Sequence, residues 1–393
     1  MTTLYLVRHA EAEGNVYRRC HGQYDALLTH RAPAQLECLA ERFAEVPLDA
    51  VYASDLYRAR HTAKAIADRK GMRVQIRPAL REISMGDWED KTWAELPRID
   101  PGHYADWQHR PGQCTVPGGE SVMDAGERVF AELKRLAARH DGGSIAVVSH
   151  GSAIRGCLCI ALGLPAEQIG EIGWGDNTCV AKLDFSEHSC NAVYWNDASH
   201  LTEELSTFAS IGWTNVKGAP STVQLWFRPY DPASDRELFL KFMQELHQNA
   251  YGTLAYFDPD GLAARAEACA AADPRAVTFG MLDDEPAALV YLDISEDAAP
   301  GCGMVGGFCI SQDWRGAGLS QQILGQAISV YRARGMDYLC ARVAAGNARA
   351  QGFYRKFAFE NRGEVQTERG AHYLMAKRIK VDTLEEEKGL FDT

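Results

Sequence analysis

The sequence predicts two α/β units in tandem. The first is a three-layer sandwich around a mostly parallel sheet. The second is a smaller α+β unit around a central mixed sheet. Three observations carry this prediction. A chain of 393 residues is longer than one ordinary domain. Strand-like and helix-like runs alternate through the first half, the mark of a largely parallel layered fold. The periodicity lapses near SHLTEELSTFASIGWTNVKGAPST and then resumes with a different pattern.

Leu4 to Val7 is a strand. Leu36, Leu39, Ala40 and Phe43 have the i, i+3, i+4, i+7 spacing of an amphipathic helix. A short strand, Ala50 to Ala53, leads to a helix over Tyr57 to Arg69. Glu127 to His140 is a long helix with Val129, Phe130, Leu133 and Leu136 inward. SIAVVS, Ser144 to Ser149, is the continuous apolar run of a central parallel strand. A helix from Ser152 to Leu162 and strands over Thr178 to Phe185 and Ala192 to Trp195 close the unit.

The lapse places a linker at 205–221, ending a first domain at 1–204. The second domain then spans 222–380. It opens with a strand over Val223 to Pro229, followed by helices near 232–250 and 259–272. Three β-rich runs follow: Ala276 to Met281, Ala287 to Ile294 and Met304 to Ser311. A helix from Arg315 to Arg334, a strand over Tyr338 to Val343, a helix over Asn347 to Lys356 and final strands complete it. Residues 381–393, rich in Glu and Asp, are expected to form a solvated acidic tail.

Composition removes several function classes. A net charge of −12 disfavours nucleic acid and anionic membranes as partners. The odd count of 11 cysteines contains no CxxC pair, which predicts reduced thiols, a cytoplasmic setting and no cysteine-built zinc site. No basic or long apolar leader precedes Arg8, and no run approaches the length of a membrane span.

Four polar stretches follow the strands of the first half: Arg8-His9, SDLYRARHTA, Leu80-Arg81-Glu82 and His150-Gly151. Carboxyl ends of parallel strands line one crevice, so these distant stretches can converge. Two histidines, at least two arginines and a carboxyl suit phosphoryl transfer without a metal. Arginines grip a phosphate dianion in bidentate fashion, a histidine can attack phosphorus, and a carboxyl can serve the leaving group and then water.

VRHAEAEGN resembles the signature of the histidine phosphatase superfamily, the phosphoglycerate mutase-like enzymes. SDLYRARHTA is similar to its second motif, with Arg58 before Ala59 and Thr62 three residues after that alanine. LREISMGDWED, PGGES and VVSHG resemble the others, in order. The resemblance implies the histidine phosphatase fold. It implies His9 as the phosphorylated nucleophile, with Arg8, Arg58 and His150 holding the phosphoryl oxygens. Glu82 becomes the acid and base. Asn15, Gly119, Glu120 and Ser121 line the side of a small phosphorylated metabolite. Arg60 is left as structural or rim-facing, and His21, His30, His61, His103, His109 and His140 as surface or structural. Ala10 and Ala12 replace the usual Gly and hydroxyl residue, which bears on substrate identity. Asp90 stands where Gly is common and adds charge near the mouth.

In the second half, MVGGFCISQDWRGAGLSQQIL runs from a strand through a Gly-rich turn into a helix. Free N–H groups at such a helix start cradle anions. With NARAQGFYRKFAFE further on, the pattern resembles the GNAT acyltransferases. That resemblance implies acetyl-CoA as cofactor. Its pantetheine arm lies along Phe308, Cys309 and Ile310, and its pyrophosphate over Arg315, Gly316, Ala317, Gly318, Leu319 and Ser320, with Asn347 nearby. Tyr354 protonates the leaving thiolate. Ser320 and Ala358 depart from the usual Gly or Ala and from the usual Gly. The base that deprotonates the amine acceptor is open between Glu285 and Asp293. The reading is a bifunctional phosphatase and N-acetyltransferase. The rivals are a phosphoglycerate-type mutase and a phosphatase whose second domain only senses CoA or serves as scaffold. Neither substrate nor the oligomeric state follows from the sequence.

Overall fold

The computed structural model describes residues 1–210, 223–297 and 299–392, which fall into two compact units. The first unit runs, in order, β1 (Thr2–Arg8), α1 (Glu13–Tyr17), α2 (Ala32–Arg42), β2 (Ala50–Ala53), α3 (Tyr57–Lys70), β3 (Val74–Ile76), α4 (Leu96–Ile99), α5 (Pro101–His109), α6 (Val122–Arg139), β4 (Ser144–Ser149), α7 (Gly151–Ala161), β5 (Val180–Phe185), β6 (Cys190–Asp197) and α8 (Thr207–Ser210). The second holds β7 (Trp226–Pro229), α9 (Pro232–Tyr251), α10 (Pro259–Ala272), β8 (Val277–Leu282), β9 (Glu285–Asp297), β10 (Cys302–Ile310), α11 (Ser320–Ala333), β11 (Tyr338–Ala344), α12 (Ala348–Lys356), β12 (Glu360–Thr367) and β13 (Gly370–Arg378). The chain then re-enters the first unit and ends on β14 (Phe391–Asp392).

The first sheet has strand order β14-β3-β2-β4-β1-β5-β6. Neighbours from β14 to β1 are parallel, and only the β1–β5 and β5–β6 pairs are antiparallel. Alternate residues of the central strands feed opposite faces. Leu4, Leu6, Tyr52, Ile145 and Val147 pack with Val129, Leu133 and Leu158 of α6 and α7. Val7, Val51, Ala146 and Val148 pack with Leu39, Ala63 and Ile66 of α2 and α3. Two separate apolar layers, one per face, make the three-layer sandwich, with each fully buried branched side chain contributing about 1.5–3 kcal/mol.

The sequence-read elements match within a few residues, but two expectations about the ends of this unit change. Residues 206–210 are not linker. Thr207 is buried, its hydroxyl donates to Glu11 at 2.9 Å, and the Ser206 hydroxyl donates to Asp176 at 2.6 Å. The rest of the linker reading, 211–221, lies outside the described residues.

The acidic tail is docked on the first unit, while Glu385 and Glu386 stay exposed. Phe391 is buried with Leu384 against the α3 side of the sheet, and β14 adds to β3. Two of its acids are paired: Glu387 accepts from Arg60 Nε at 2.7 Å and lies 2.8 Å from His61 Nε2, and Asp392 pairs with Arg73 at 3.0 Å. Charge counting alone missed the two apolar residues and their cationic partners. Arg60 is thereby structural, as one of its two readings held, and is nearly fully buried.

The second sheet has order β12-β13-β11-β10-β9-β8-β7, and only β10–β11 is parallel. This pair is joined only from Cys302 to Val305 against Tyr338 to Ala341. Beyond Val305 the two strands part, which leaves the Gly306–Ile310 edge of β10 without a β11 partner while β9 still pairs its other edge.

Candidate active sites

In the first unit β1, β2 and β4 end side by side, with Arg8 opposite Ser149 and Ala53 opposite Val148. The next residues of each strand therefore meet at one edge. His9, Arg58 and His150 are all buried there, and the His9 and His150 rings lie 5.2 Å apart.

Each group is fastened by the protein. His9 Nδ1 lies 2.7 Å from the Ala10 carbonyl. A carbonyl only accepts, so Nδ1 carries the proton and Nε2 presents its lone pair. Burial first, then the Arg58 and Arg8 guanidinium charges, hold His9 well below the usual histidine range, so it is neutral at pH 7. His150 is shifted the same way, by burial and then by Arg58 and His9.

Arg58 donates to the carbonyls of Tyr24 at 3.1 Å and Gly22 at 2.6 Å. Arg8 donates to the Gly175 carbonyl at 2.5 Å. The Ser54 hydroxyl accepts from Leu56 N–H at 3.2 Å and, in the tautomer with Nε2 as acceptor, donates to His150 Nε2 at 2.8 Å. His150 Nδ1 is then an N–H donor. It and Arg8 Nε are both buried with no hydrogen-bond partner. Two unsatisfied donors beside a neutral imidazole define a place for an anion, because each costs about 1–3 kcal/mol while unpaired.

Glu82 sits over the start of α7. Its carboxylate accepts from the N–H groups of Ile83 at 3.0 Å, Ser152 at 3.3 Å and Ala153 at 2.8 Å. Arg128, which motif reading missed, supports this loop by donating to the carbonyls of Ala79, Arg81 and Glu82 at 2.9–3.2 Å.

The expected substrate-side residues are engaged in the fold. Asn15 accepts from Ala12 N–H at 2.9 Å. Glu120 accepts from Arg128 and from Ser84 N–H, and Ser121 caps α6 by accepting from Asp124 N–H. Gly119 lies against the Glu82 loop, where a Cβ would fall 2.3 Å from the Ser84 carbonyl oxygen. Asp90 pairs with buried Arg19 at 2.7 Å instead of adding a free charge, and its φ of 59° explains why glycine is common there. Asn177 escaped sequence reading because its role is long-range: its amide donates to the His9 carbonyl at 2.9 Å.

In the second unit a cavity of about 960 Å³ opens where β10 and β11 part. Its walls include Phe308, Cys309, Ile310, Arg315, Gly316, Gly318, Leu319, Ser320, Asn347 and Tyr354. Ala317 alone of the expected cofactor residues is not among them. Gly316 (φ 85°) and Gly318 (φ 78°) take conformations that side-chain-bearing residues avoid, and α11 begins at Ser320. Asn347 caps α12 by accepting from Ala350 N–H at 3.0 Å.

Tyr354 packs edge-on against Phe353 and Phe359, and burial pushes its phenol above the usual tyrosine range. It therefore keeps its proton at pH 7. The backbone edge, positive-φ glycines and helix start fit a nucleotide-bearing thioester. Glu285 is exposed at the β8–β9 turn and does not reach the cavity. Asp293 lines it, holding the Ser295 hydroxyl at 2.5 Å.

Residues 4–198 match the histidine phosphatase superfamily (branch 1). A relative named "Probable phosphoglycerate mutase GpmB" from an Enterobacter species is 34% identical over 207 residues, 51% of this chain and 95% of that protein. The chain belongs to the histidine phosphatase superfamily. The Escherichia fergusonii protein of the same name is 32% identical over 213 residues, again 51% of this chain and 95% of its own. Among solved structures, Bacillus stearothermophilus YhfR is 28% identical with a TM-score of 0.49, covering 51% of this chain and 99% of its own. Mycobacterial glucosyl-3-phosphoglycerate phosphatase with VO3 is 27% identical with a TM-score of 0.47, covering 50% and 99%. Residues 238–359 match the acetyltransferase (GNAT) family. Among the described residues no helix is long and apolar enough to cross a membrane.

Proposed function

We propose that the chain is a bifunctional enzyme. Its first unit hydrolyses a phosphomonoester of a small metabolite through phospho-His9, and its second moves an acetyl group from acetyl-CoA to an amine. The observation that carries the first half is the pair of unsatisfied buried donors, Arg8 Nε and His150 Nδ1, beside a neutral His9. A phosphoryl group between them satisfies both.

His9 Nε2 attacks phosphorus as the ester P–O bond breaks, and Arg8, Arg58 and His150 hold the equatorial oxygens. Glu82 gives its proton to the departing oxygen, then takes one from the water that cleaves phospho-His9. The test is hydrolysis of p-nitrophenyl phosphate, with inhibition by vanadate. Undiminished turnover by His9→Ala sinks the assignment. A second reading, mutase chemistry, draws on the name carried by the curated relatives. Phosphate moved between positions of a glycerate phosphate, with none released, favours that reading over hydrolysis.

For the second unit, the parted strands and the glycine turn support acetyl-CoA, with Tyr354 as the proton donor to the thiol. Calorimetry tests it: absence of acetyl-CoA binding leaves a scaffold. Eleven unpaired cysteines support a reducing, cytoplasmic setting.

A further inference from the structure

The same cavity is lined by three rings in a row. His247, on α9, lies 4.7 Å from Tyr251, the last residue of that helix, and Tyr251 lies 5.8 Å from His372 on β13. All three line the cavity. His372 is paired across the sheet with Ala344, at the end of β11 that has parted from β10. The row therefore lines the cavity beside the end of β11 that has parted from β10.

The hydrogen bonds fix the direction of proton movement. His372 Nδ1 is 2.9 Å from the Gly370 carbonyl. The carbonyl only accepts, so Nδ1 carries the proton and Nε2 offers its lone pair. The Tyr251 hydroxyl, 2.9 Å away, then donates to Nε2. Its oxygen lone pairs are left for a second donor. The Arg369 guanidinium lies 5.8 Å from the Tyr251 ring centre, a cation over the ring. His247 is more than nine-tenths buried, and its Nε2 has no partner. An amine beside this row could meet both Tyr251 and His247.

We propose that Tyr251 and His372 form the proton relay for the acceptor amine, and that His247 Nε2 helps to bind that amine. This rests on the acetyltransferase reading above. As the amine nitrogen bonds to the acetyl carbon and the C–S bond breaks, the N–H proton passes to the Tyr251 oxygen. The Tyr251 proton passes to His372 Nε2, and Tyr354 supplies the proton of the released thiol. The products are the amide, the thiol, a His372 imidazolium and a Tyr354 phenolate. Solvent resets the last two by removing one proton and returning one. Asp293, tied to Ser295, is not needed as the base.

The test uses the full chain with n-butylamine as probe amine and thiol release from acetyl-CoA as readout. Tyr251→Phe and His372→Gln should each lower kcat about a hundredfold, and the double variant should be no worse than either, because the two act as one unit. Acetyl-CoA affinity by calorimetry should stay within about twofold, which separates lost chemistry from lost folding.

A readout free of turnover is the imidazole nitrogen spectrum of histidine-labelled protein. It should show His372 protonated at Nδ1, with Nε2 shifting in Tyr251→Phe. Full activity in Tyr251→Phe, or an Nε2-protonated His372, overturns the relay. Should butylamine prove inert while acetyl-CoA binds, the nitrogen spectrum decides. A wild-type chain that binds no acetyl-CoA overturns the acetyltransferase reading, and the relay with it.

Discussion

The phosphate site and the acyl cavity are built by opposite means. The first is made of side chains from the ends of several segments, buried or half-buried and fastened to backbone carbonyl or N–H groups. The second is made largely of backbone: a strand edge, two positive-φ glycines and a helix start around about 960 Å³. A side-chain site concentrates its chemistry in few atoms, so single substitutions should abolish it. A backbone site spreads binding over many N–H and C=O groups, so single substitutions should erode it.

The largest expected effect breaks the first site. His9→Ala removes the nitrogen proposed to take the phosphoryl group, and hydrolysis of p-nitrophenyl phosphate should fall at least about a thousandfold. Ser320→Ala at the start of α11 should change acetyl-CoA affinity by less than about threefold, because the backbone N–H stays in place. A loss as large as that of His9→Ala would show that the second site also depends on one side chain.

Acid should separate the units next. Burial holds His9, His150, His61 and His140 below the usual histidine value and pushes His200 down to about 4. Below pH 6.5 the unfolded chain binds protons that these native histidines refuse. Stability of the first unit is therefore fully present above pH 6.5 and lost as pH falls towards 4 and below. In the second unit His247 is pushed down, by burial and then by Arg369. Thermal melts at pH 7.5 and pH 5 should lower the first unit's transition more than the second's. Equal shifts would contradict the assignment of neutral buried histidines.

What the sequence made legible follows the same division. His9, Arg8, Arg58, Glu82 and His150 each sit within a short motif at a strand end, so one-dimensional reading found them. Asn177 and Arg128 support those residues from elsewhere in the chain, through contacts such as Arg128 to Ala79, 49 residues apart, and carry no local signature. The tail was misread for the same reason. Its Glu and Asp content looked solvated because their partners Arg60, His61 and Arg73 lie more than 300 residues earlier. Tyr251 and His372 come together only through the sheet, so the sequence search settled on nearer carboxylates.

The tail supplies a third test. Phe391 is only 7% exposed at the edge of the first sheet. Phe391→Ala should cost the first unit about 3 kcal/mol, by lost burial plus the cavity left behind. Chemical denaturation should show this cost in the first unit's transition alone. A fall in the second unit's transition instead would mean that the tail belongs to the acetyltransferase fold.

The smallest effect concerns backbone strain in the second unit. Ala358 follows α12 with a φ of 60°, and its N–H donates to the Arg355 carbonyl at 3.0 Å while Phe359 N–H reaches Tyr354 at the same distance. This left-handed turn ends the helix and sets Phe359 against the Tyr354 ring at 4.9 Å. A Cβ there costs roughly 1–2 kcal/mol, and glycine removes it at the expense of greater freedom in the unfolded chain. Ala358→Gly should therefore stabilise the second unit by about 0.5–1 kcal/mol and leave acetyl-CoA affinity unchanged, since the Tyr354 contacts are already in place. A destabilised variant would mean that Ala358 is not in the left-handed conformation and that another turn closes the helix beneath Tyr354.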